Sequence, residues 1–318
     1  MVKLNFHHGA FHIETIQLAR VTIVGSGSML PRRALGRQLR KMRLREGITQ
    51  ASAARAAEVS PQSYGRLEDG LKTKITDLAM NALCNAFSSS DVERRTILDL
   101  AQEVRQSQGA DGGWWQAYAE VVPETFNHFI GLEESAMHIA SWEVALFPGL
   151  LQTREYRRAL IWAEYPDMPP ENVELTLDIV MRRQEILERS DFHFEAMIAE
   201  PILHTPVGGP AVSADQLSHL LAVSRLPSVT MRIVKRDARD LLGLITGSFV
   251  VFDLPPLPVS RMRQPSVAYA EGYFGRVYIE GDAKVALYRR AVERLRRVAC
   301  SPDESRDLVL EARKEWEQ

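Results

Sequence analysis

A multidomain architecture is expected from this sequence: a small all-α unit near the N-terminus, followed by a larger α+β unit. Three observations carry that expectation. The chain has 318 residues, more than one domain usually holds and enough for two. Helical periods and helix caps crowd into residues 31–104, whereas strand-like runs begin only near residue 190. Between the two patterns lies the stretch 106–113, with Gly109, Gly112 and Gly113, which reads as a linker. The expected boundaries are a poorly structured extension over 1–30, a first domain over 31–108 and a second over 109–318. Hydrophobic residues make up 45% and charged residues 25%, so each domain can bury a core.

The first helix is expected from Pro31, with Leu35, Leu39 and Met42 at helical spacing and Gly47 as a left-handed stop. Thr49 is placed to cap a second helix over 50–57. Ser60 followed by Pro61 opens a third, with the hydroxyl as N-cap and the proline where its missing N–H costs nothing. That helix ends at Asp69-Gly70. Thr76 caps a fourth, with Leu78, Ala79, Leu83 and Phe87 on one face, and a fifth covers about 91–104.

In the second domain, helical patterns cover roughly 114–120, 126–142, 153–164 and 171–189. Strand-like runs follow at 192–199, 229–235, 248–253, 267–270 and 276–280. A helix interrupts them, its start set at Ser213 by the capping-box spacing to Gln216. Two helices close the chain, the last opened by Ser301-Pro302-Asp303-Glu304.

Charge divides the chain as sharply as pattern does. The formal net charge is −2, yet residues 31–74 hold eleven Lys/Arg against four Asp/Glu, a net +7, and everything from residue 75 onward is net −10. A compact basic module on an acidic body suits one part that meets phosphates and a remainder that does not. Only Cys84 and Cys300 are present, which excludes a disulfide scaffold or a thiolate zinc site and fits a reducing cytoplasm. No apolar run approaches the ~20 residues of a membrane span. The first thirty residues lack the apolar segment of a signal peptide, Gly25-Ser26-Gly27-Ser28 reads as a flexible linker, and Met29 is an alternative start.

The informative stretch runs from Ile48 to Gly70. Two helices crossing at a turn need a small residue where they meet, supplied by Ala54, and an apolar residue in the turn, supplied by Val59. Tyr64 and Leu67 fall on the buried side of the second helix. Ser60, Pro61, Gln62, Ser63 and Arg66 are left at its outward N-terminal end, where a recognition helix in a major groove meets base edges. Gln62 can pair bidentately with adenine, and Arg66 with guanine or a phosphate. A bare basic helical bundle is the competing reading.

These residues resemble the xenobiotic-response-element, lambda-repressor-like helix-turn-helix family. Thr49-Gln50 matches its Thr-Gln opening, and Leu67-Glu68-Asp69-Gly70 matches its Leu/Ile-Glu-x-Gly ending. The resemblance implies that Gln50 anchors on a phosphate and that Lys72 and Lys74 touch the DNA backbone. Two departures stand out: Ala53 where a Leu is usual, and Gly65 inside the recognition helix, which costs about 0.5–1 kcal/mol against Ala.

The second half carries an ordered series of its own. It begins Gly113-Trp114-Trp115 with Tyr118, continues through Leu132-Glu133, Phe147-Pro148-Gly149-Leu150-Leu151-Gln152-Thr153 and Arg182-Arg183-Gln184, and ends near Gly247-Ser248-Phe249. This series resembles the uncharacterised C-terminal domain of actinobacterial WhiJ-like and antitoxin-like regulators. That resemblance implies a small companion protein encoded nearby. Read physically, 147–156 is a turn and a helix cap, or the wall of a pocket. Trp114, Trp115 and Tyr118 fit a core or a ligand or partner site. Arg182-Arg183 fits a solvated helix face, or an anion or partner contact.

No catalytic arrangement emerges, and neither a metal nor a cofactor is expected. The eight histidines are scattered without metal-ligand spacing, and the adjacent Glu133-Glu134 diverge on a helix. Gly208-Gly209 reads as a turn. The expected function is a cytoplasmic, sequence-specific transcription regulator that binds double-stranded DNA as a homodimer through helix 60–69 and receives a signal or partner on its second domain. Two alternatives keep the DNA-binding module: an antitoxin-like protein that neutralises its companion and regulates its own operon, and a metabolite-sensing regulator.

Overall fold

The computed structural model describes residues 29–71, 73–108, 114, 124–272 and 275–317. Residues 1–28 of the extension expected over 1–30, together with Lys72, Trp115 and Tyr118, lie outside the described residues, while Met29 and Leu30 belong to the first helix. Five helices form the first unit: α1 (Met29–Arg45), α2 (Gln50–Ala56), α3 (Pro61–Glu68), α4 (Asp77–Ala86) and α5 (Asp91–Gln108). Helix α1 begins two residues before Pro31, which still falls in the first turn, where a proline removes no hydrogen bond. Leu35, Leu39, Tyr64, Leu83, Phe87, Ile97 and Leu100 make a core shut off from solvent. Gly47, at φ +65°, ends α1, with its N–H on the Leu44 carbonyl and that of Ile48 on Arg43.

The second unit is built on a mixed six-stranded sheet ordered β3-β2-β1-β4-β5-β6. Its strands are β1 (His138–Glu143), β2 (His193–Ala199), β3 (Val229–Val234), β4 (Phe249–Asp253), β5 (Val267–Gly272) and β6 (Gly275–Ile279). The first three are parallel, joined by helical crossovers, and the last three form an antiparallel meander beside β1. The helices are α6 (Glu124–Ser135), α7 (Arg154–Glu164), α8 (Pro170–Arg183), α9 (Pro210–Val223), α10 (Leu242–Thr246), α11 (Asp282–Val298) and α12 (Pro302–Trp316). The fold is therefore an all-α unit followed by an α+β unit.

Four sequence expectations need correction, the first being Leu78, which is exposed and not on the buried face of α4 with Leu83 and Phe87. The helix expected over 126–142 stops at Ser135, and its second half is β1, the strand buried at the centre of the sheet. A strand covered on both faces loses its period-two signature and reads like a buried helix segment. The helix expected from Ser213 starts at Pro210, behind Gly209 at φ +89°, and leaves Ser213 buried inside it. The short helix α10 went unread. At the chain's end, the Ser301–Glu304 capping box is fully formed.

The units are joined through the connection between β4 and β5, residues 254–266. Leu257 leaves the second unit and is buried in the core of the first. The buried Glu103 carboxylate on α5 accepts the N–H groups of Val259 at 2.5 Å and Ser260 at 3.1 Å, and the Ser260 hydroxyl at 3.0 Å. On α1, Arg33 pairs with Glu280 and donates to His128, Arg37 donates to Gln264 at 2.8 Å, and Gln38 donates to the Met262 sulfur.

Candidate nucleic-acid interface

Local chemistry places the α2–α3 pair. The Thr49 hydroxyl accepts from the Ser52 N–H at 3.1 Å, and the Ser60 hydroxyl from the Ser63 N–H at 3.1 Å, so each helix starts on a side-chain cap. Pro61 takes the first position of α3. Between the helices, Glu58 adopts φ +54° and the Val59 N–H reaches the Ala54 carbonyl at 3.0 Å. Ala54 is buried at the crossing, and Val59 packs on the core from the turn.

Beneath α3 lies a buried polar network with the Glu68 carboxylate at its centre. One oxygen accepts Arg43 Nε at 2.5 Å and the Tyr64 hydroxyl at 2.7 Å. The other accepts a second Arg43 nitrogen at 3.0 Å and the Gln50 amide at 2.8 Å. Four donors saturate the acceptor capacity of a carboxylate. Burial alone would raise the Glu68 pKa, but hydrogen bonds from Arg43, Gln50 and Tyr64 outweigh it and hold the group below the ordinary range. The network ties α1, α2 and α3 at one point and so fixes how far α3 stands out.

Two glycines let the helices approach. A Cβ on Gly36 would sit 2.4 Å from the Glu68 carbonyl oxygen, so α1 crosses directly over the C-terminal backbone of α3. Gly70, at φ +70°, turns the chain away beneath Arg33, where a Cβ would lie 2.9 Å from Arg33 Cγ. Gly65 differs: the nearest atom to its Cβ would be the Gln50 side-chain oxygen at 3.9 Å, so no close approach demands it.

Most of the residues read from the sequence are solvent-facing on or beside α3. Ser60, Pro61, Gln62 and Arg66 are exposed along α3, with Ser63 half-buried beside them. Ser60 is engaged as the cap, its hydroxyl donating to Ser63 Oγ at 2.8 Å. Gln50 is exposed at the start of α2, with one amide N–H oriented by Glu68 and the other not used by that bond. Lys74 is exposed in the connection to α4. The Arg43–Glu68 pair escaped sequence reasoning, although Glu68 belongs to the Leu-Glu-Asp-Gly motif; the signal was present without its partner.

The candidate residues of the second unit are placed differently. Arg183 is buried rather than solvated: it makes a bidentate pair with Glu133 at 2.7 and 2.8 Å and lies over the rings of Phe126 and Phe129. The helix face expected to be charged therefore turns one arginine inward, where aromatic faces and a carboxylate compensate its burial. Arg182 is exposed, and its guanidinium covers the Trp114 ring at 4.5 Å. Trp114 packs with Phe126, Ile130 and Ile179. The stretch 147–156 is tied internally. Gln152 donates to the Phe147 carbonyl at 2.6 Å, Gln216 bridges Leu151 and Thr153, and Thr153 caps α7.

A helix-turn-helix domain model matches residues 34–97, spanning α1 to α5. A domain of unknown function, DUF5753, matches residues 126–311, more than half of the chain. No curated protein and no solved structure matches. Among the described residues, no helix is long and apolar enough to cross a membrane. The chain belongs to the DUF5753 family and carries a helix-turn-helix domain at its N-terminal end.

Proposed function

We propose that this family member is a sequence-specific transcription regulator of the xenobiotic-response-element, lambda-repressor-like type, whose second domain receives a signal. The observation that carries the reading is the outward rim of α3, set on a core that a saturated carboxylate locks. Pro61, Gln62, Ser63 and Arg66 stand at the N-terminal end of a capped helix, which is the end that enters a major groove. Gln50 and Lys74 flank them as phosphate contacts, joined by Lys72 on the sequence reading. The protein is read as a binder and not a catalyst.

One such helix reads only a few base pairs, so a homodimer on an inverted repeat is part of the proposal, with half-site centres ~34–36 Å apart. Most apolar residues of the first domain are used internally, although Leu44, Leu78 and Val92 are exposed. The exposed Leu241, Leu244 and Ile245 around α10 are available for a contact between copies. The WhiJ-like resemblance adds a second reading, an antitoxin-like protein with a small companion, which rests on sequence motifs rather than geometry.

Selection of bound sequences from a random duplex pool with the full chain, followed by fluorescence anisotropy on the winning site, tests the reading. Gln62→Ala should cost on the order of 1–3 kcal/mol on that site and relax preference at particular base pairs. Lys74→Ala should weaken all sequences alike and flatten the salt slope by about one unit. Equal loss of discrimination in both variants would refute the division of roles, and failure to enrich any sequence would refute the function.

A further inference from the structure

Where the two units meet, a cleft of about 690 Å³ opens between α1, the 254–266 connection and α11. That volume lies in the range of small-molecule sites. Its polar lining is one-sided: Arg37 and Lys41 come from α1, Arg263 from the connection and Arg289 from α11, against the single carboxylate of Asp282. Met262 and Val285 supply apolar floor.

The state of these cations points to an anion. Arg289 is already held by Asp253 and Ser266. Arg37 is half-buried, and burial pushes its guanidinium below the ordinary range, yet its hydrogen bond among the described residues is to a neutral amide oxygen, that of Gln264. Arg33, one turn away, has Glu280 to compensate it; Arg37 has no carboxylate partner among the described residues. Lys41 and Arg263 are exposed at the mouth, with no ion pair among the described residues. A concave surface with one sign of charge and low-dielectric walls concentrates oppositely charged solutes, and guanidinium groups match phosphate oxygens in fork geometry.

The connection that forms one wall is fixed. Glu103 holds the backbone at 259–260, the Leu257 N–H bonds the Met262 carbonyl at 3.0 Å, and Arg261 is kept at φ +54°. The cleft is thus built from both units on a rigid frame, with the helix that supports α3 as one side.

We propose that this cleft binds a small polyanion of the phosphate-ester or polyphosphate class, and that the bound anion bridges α1 of the DNA-binding unit to α11 of the second unit. Arg37 and Arg263 would take phosphate oxygens, with Lys41 adding charge at the mouth. Such a ligand favours the docked arrangement of the two units and so reaches the recognition helix through α1.

The test is calorimetric titration of the full chain with inorganic tripolyphosphate at constant ionic strength, without DNA. Saturable binding near one site per chain is expected. The double variant Lys41→Glu/Arg263→Glu should weaken it on the order of tenfold or more, a loss of about 1.4 kcal/mol or greater. Both positions are exposed, so the fold should persist, which circular dichroism checks. Arg225→Glu, on an exposed site of the second unit, and Lys74→Glu, on the recognition surface, should leave the affinity unchanged. Absence of saturable binding overturns the proposal, as does an equal loss in Lys74→Glu, which would put the anion on the DNA-binding surface. A double variant that loses duplex DNA while keeping tripolyphosphate also overturns it, since the cleft would then follow the DNA backbone. Because binding is read without DNA, a negative result leaves the DNA-binding reading standing.

Discussion

Replacing Glu68 by Gln isolates what holds α3 in place. The amide keeps the shape and one acceptor, but it turns an NH2 group toward the guanidinium of Arg43, a residue that is only 8% exposed. Two of the four hydrogen bonds at this site come from that guanidinium. Breaking a buried ion pair by neutralising one partner costs about 3–5 kcal/mol, because the other charge stays desolvated. Against a domain stability of about 5–15 kcal/mol, that removes a fifth or more of the total. Urea unfolding followed by helical circular dichroism should show the N-terminal transition move to lower denaturant, with DNA affinity falling alongside. The pH dependence has a definite sign. A carboxyl depressed in the folded state gives stability that is complete above its unfolded value, about 4.3, and is lost as pH falls through its folded value. The wild-type domain should therefore lose stability more steeply below about pH 4 than Glu68→Gln. Replacing both partners, Arg43→Met with Glu68→Met, should recover much of the loss, since an apolar pair of similar volume leaves no charge behind. A Glu68→Gln cost under about 1 kcal/mol, with an unchanged acid limb, would sink the argument.

Gly36→Ala should destabilise the first domain severely, because its Cβ would meet backbone rather than a movable side chain, while Gly65→Ala should stabilise it by about 0.5–1 kcal/mol without loss of DNA affinity; thermal melts of both variants decide it. Leu257→Ala should cost about 2–5 kcal/mol and lower the unfolding transition of the first domain, although the residue belongs to the second. Leu244→Glu with Ile245→Glu should shift the full chain toward monomer in sedimentation velocity and leave the melting temperature nearly unchanged, since both side chains are more than 70% exposed; an unaltered dimer would exclude α10 as the contact.

What could be read from the sequence was what is decided locally. Thr49, Ser60, Thr76 and Ser301 act through hydrogen bonds to residues three positions away, and each sits where its spacing placed it. Leu35, Leu39 and Met42 face inward for the same reason, one stripe of one helix. The central strand β1 was missed because burial on both faces erases its alternation, and α10 because five residues carry no period. Ser213 misled through a capping spacing that a glycine and a proline just upstream pre-empt. Of the site, the outward rim of α3 was legible from type and spacing alone. The support beneath it was not, because Arg43 and Glu68 lie 25 residues apart and only the crossing of α1 over α3 brings them together.

The least legible feature is the one that joins the two halves. A break in composition at 106–113 suggests independent units, and a fragment ending near residue 108 would appear complete by its pattern. Yet Leu257 fills the core of that fragment, and the carboxylate of Glu103, buried on α5, finds its described hydrogen-bond partners at Val259 and Ser260. Separating the units would therefore expose apolar core and remove three hydrogen bonds from the first unit at the same time. Docking of the units and firmness of the helix-turn-helix domain are, on this geometry, parts of one equilibrium. A ligand or partner that moved the 254–266 connection would change DNA binding without approaching the DNA surface, because the differential contact it needs is already built into the first domain's core.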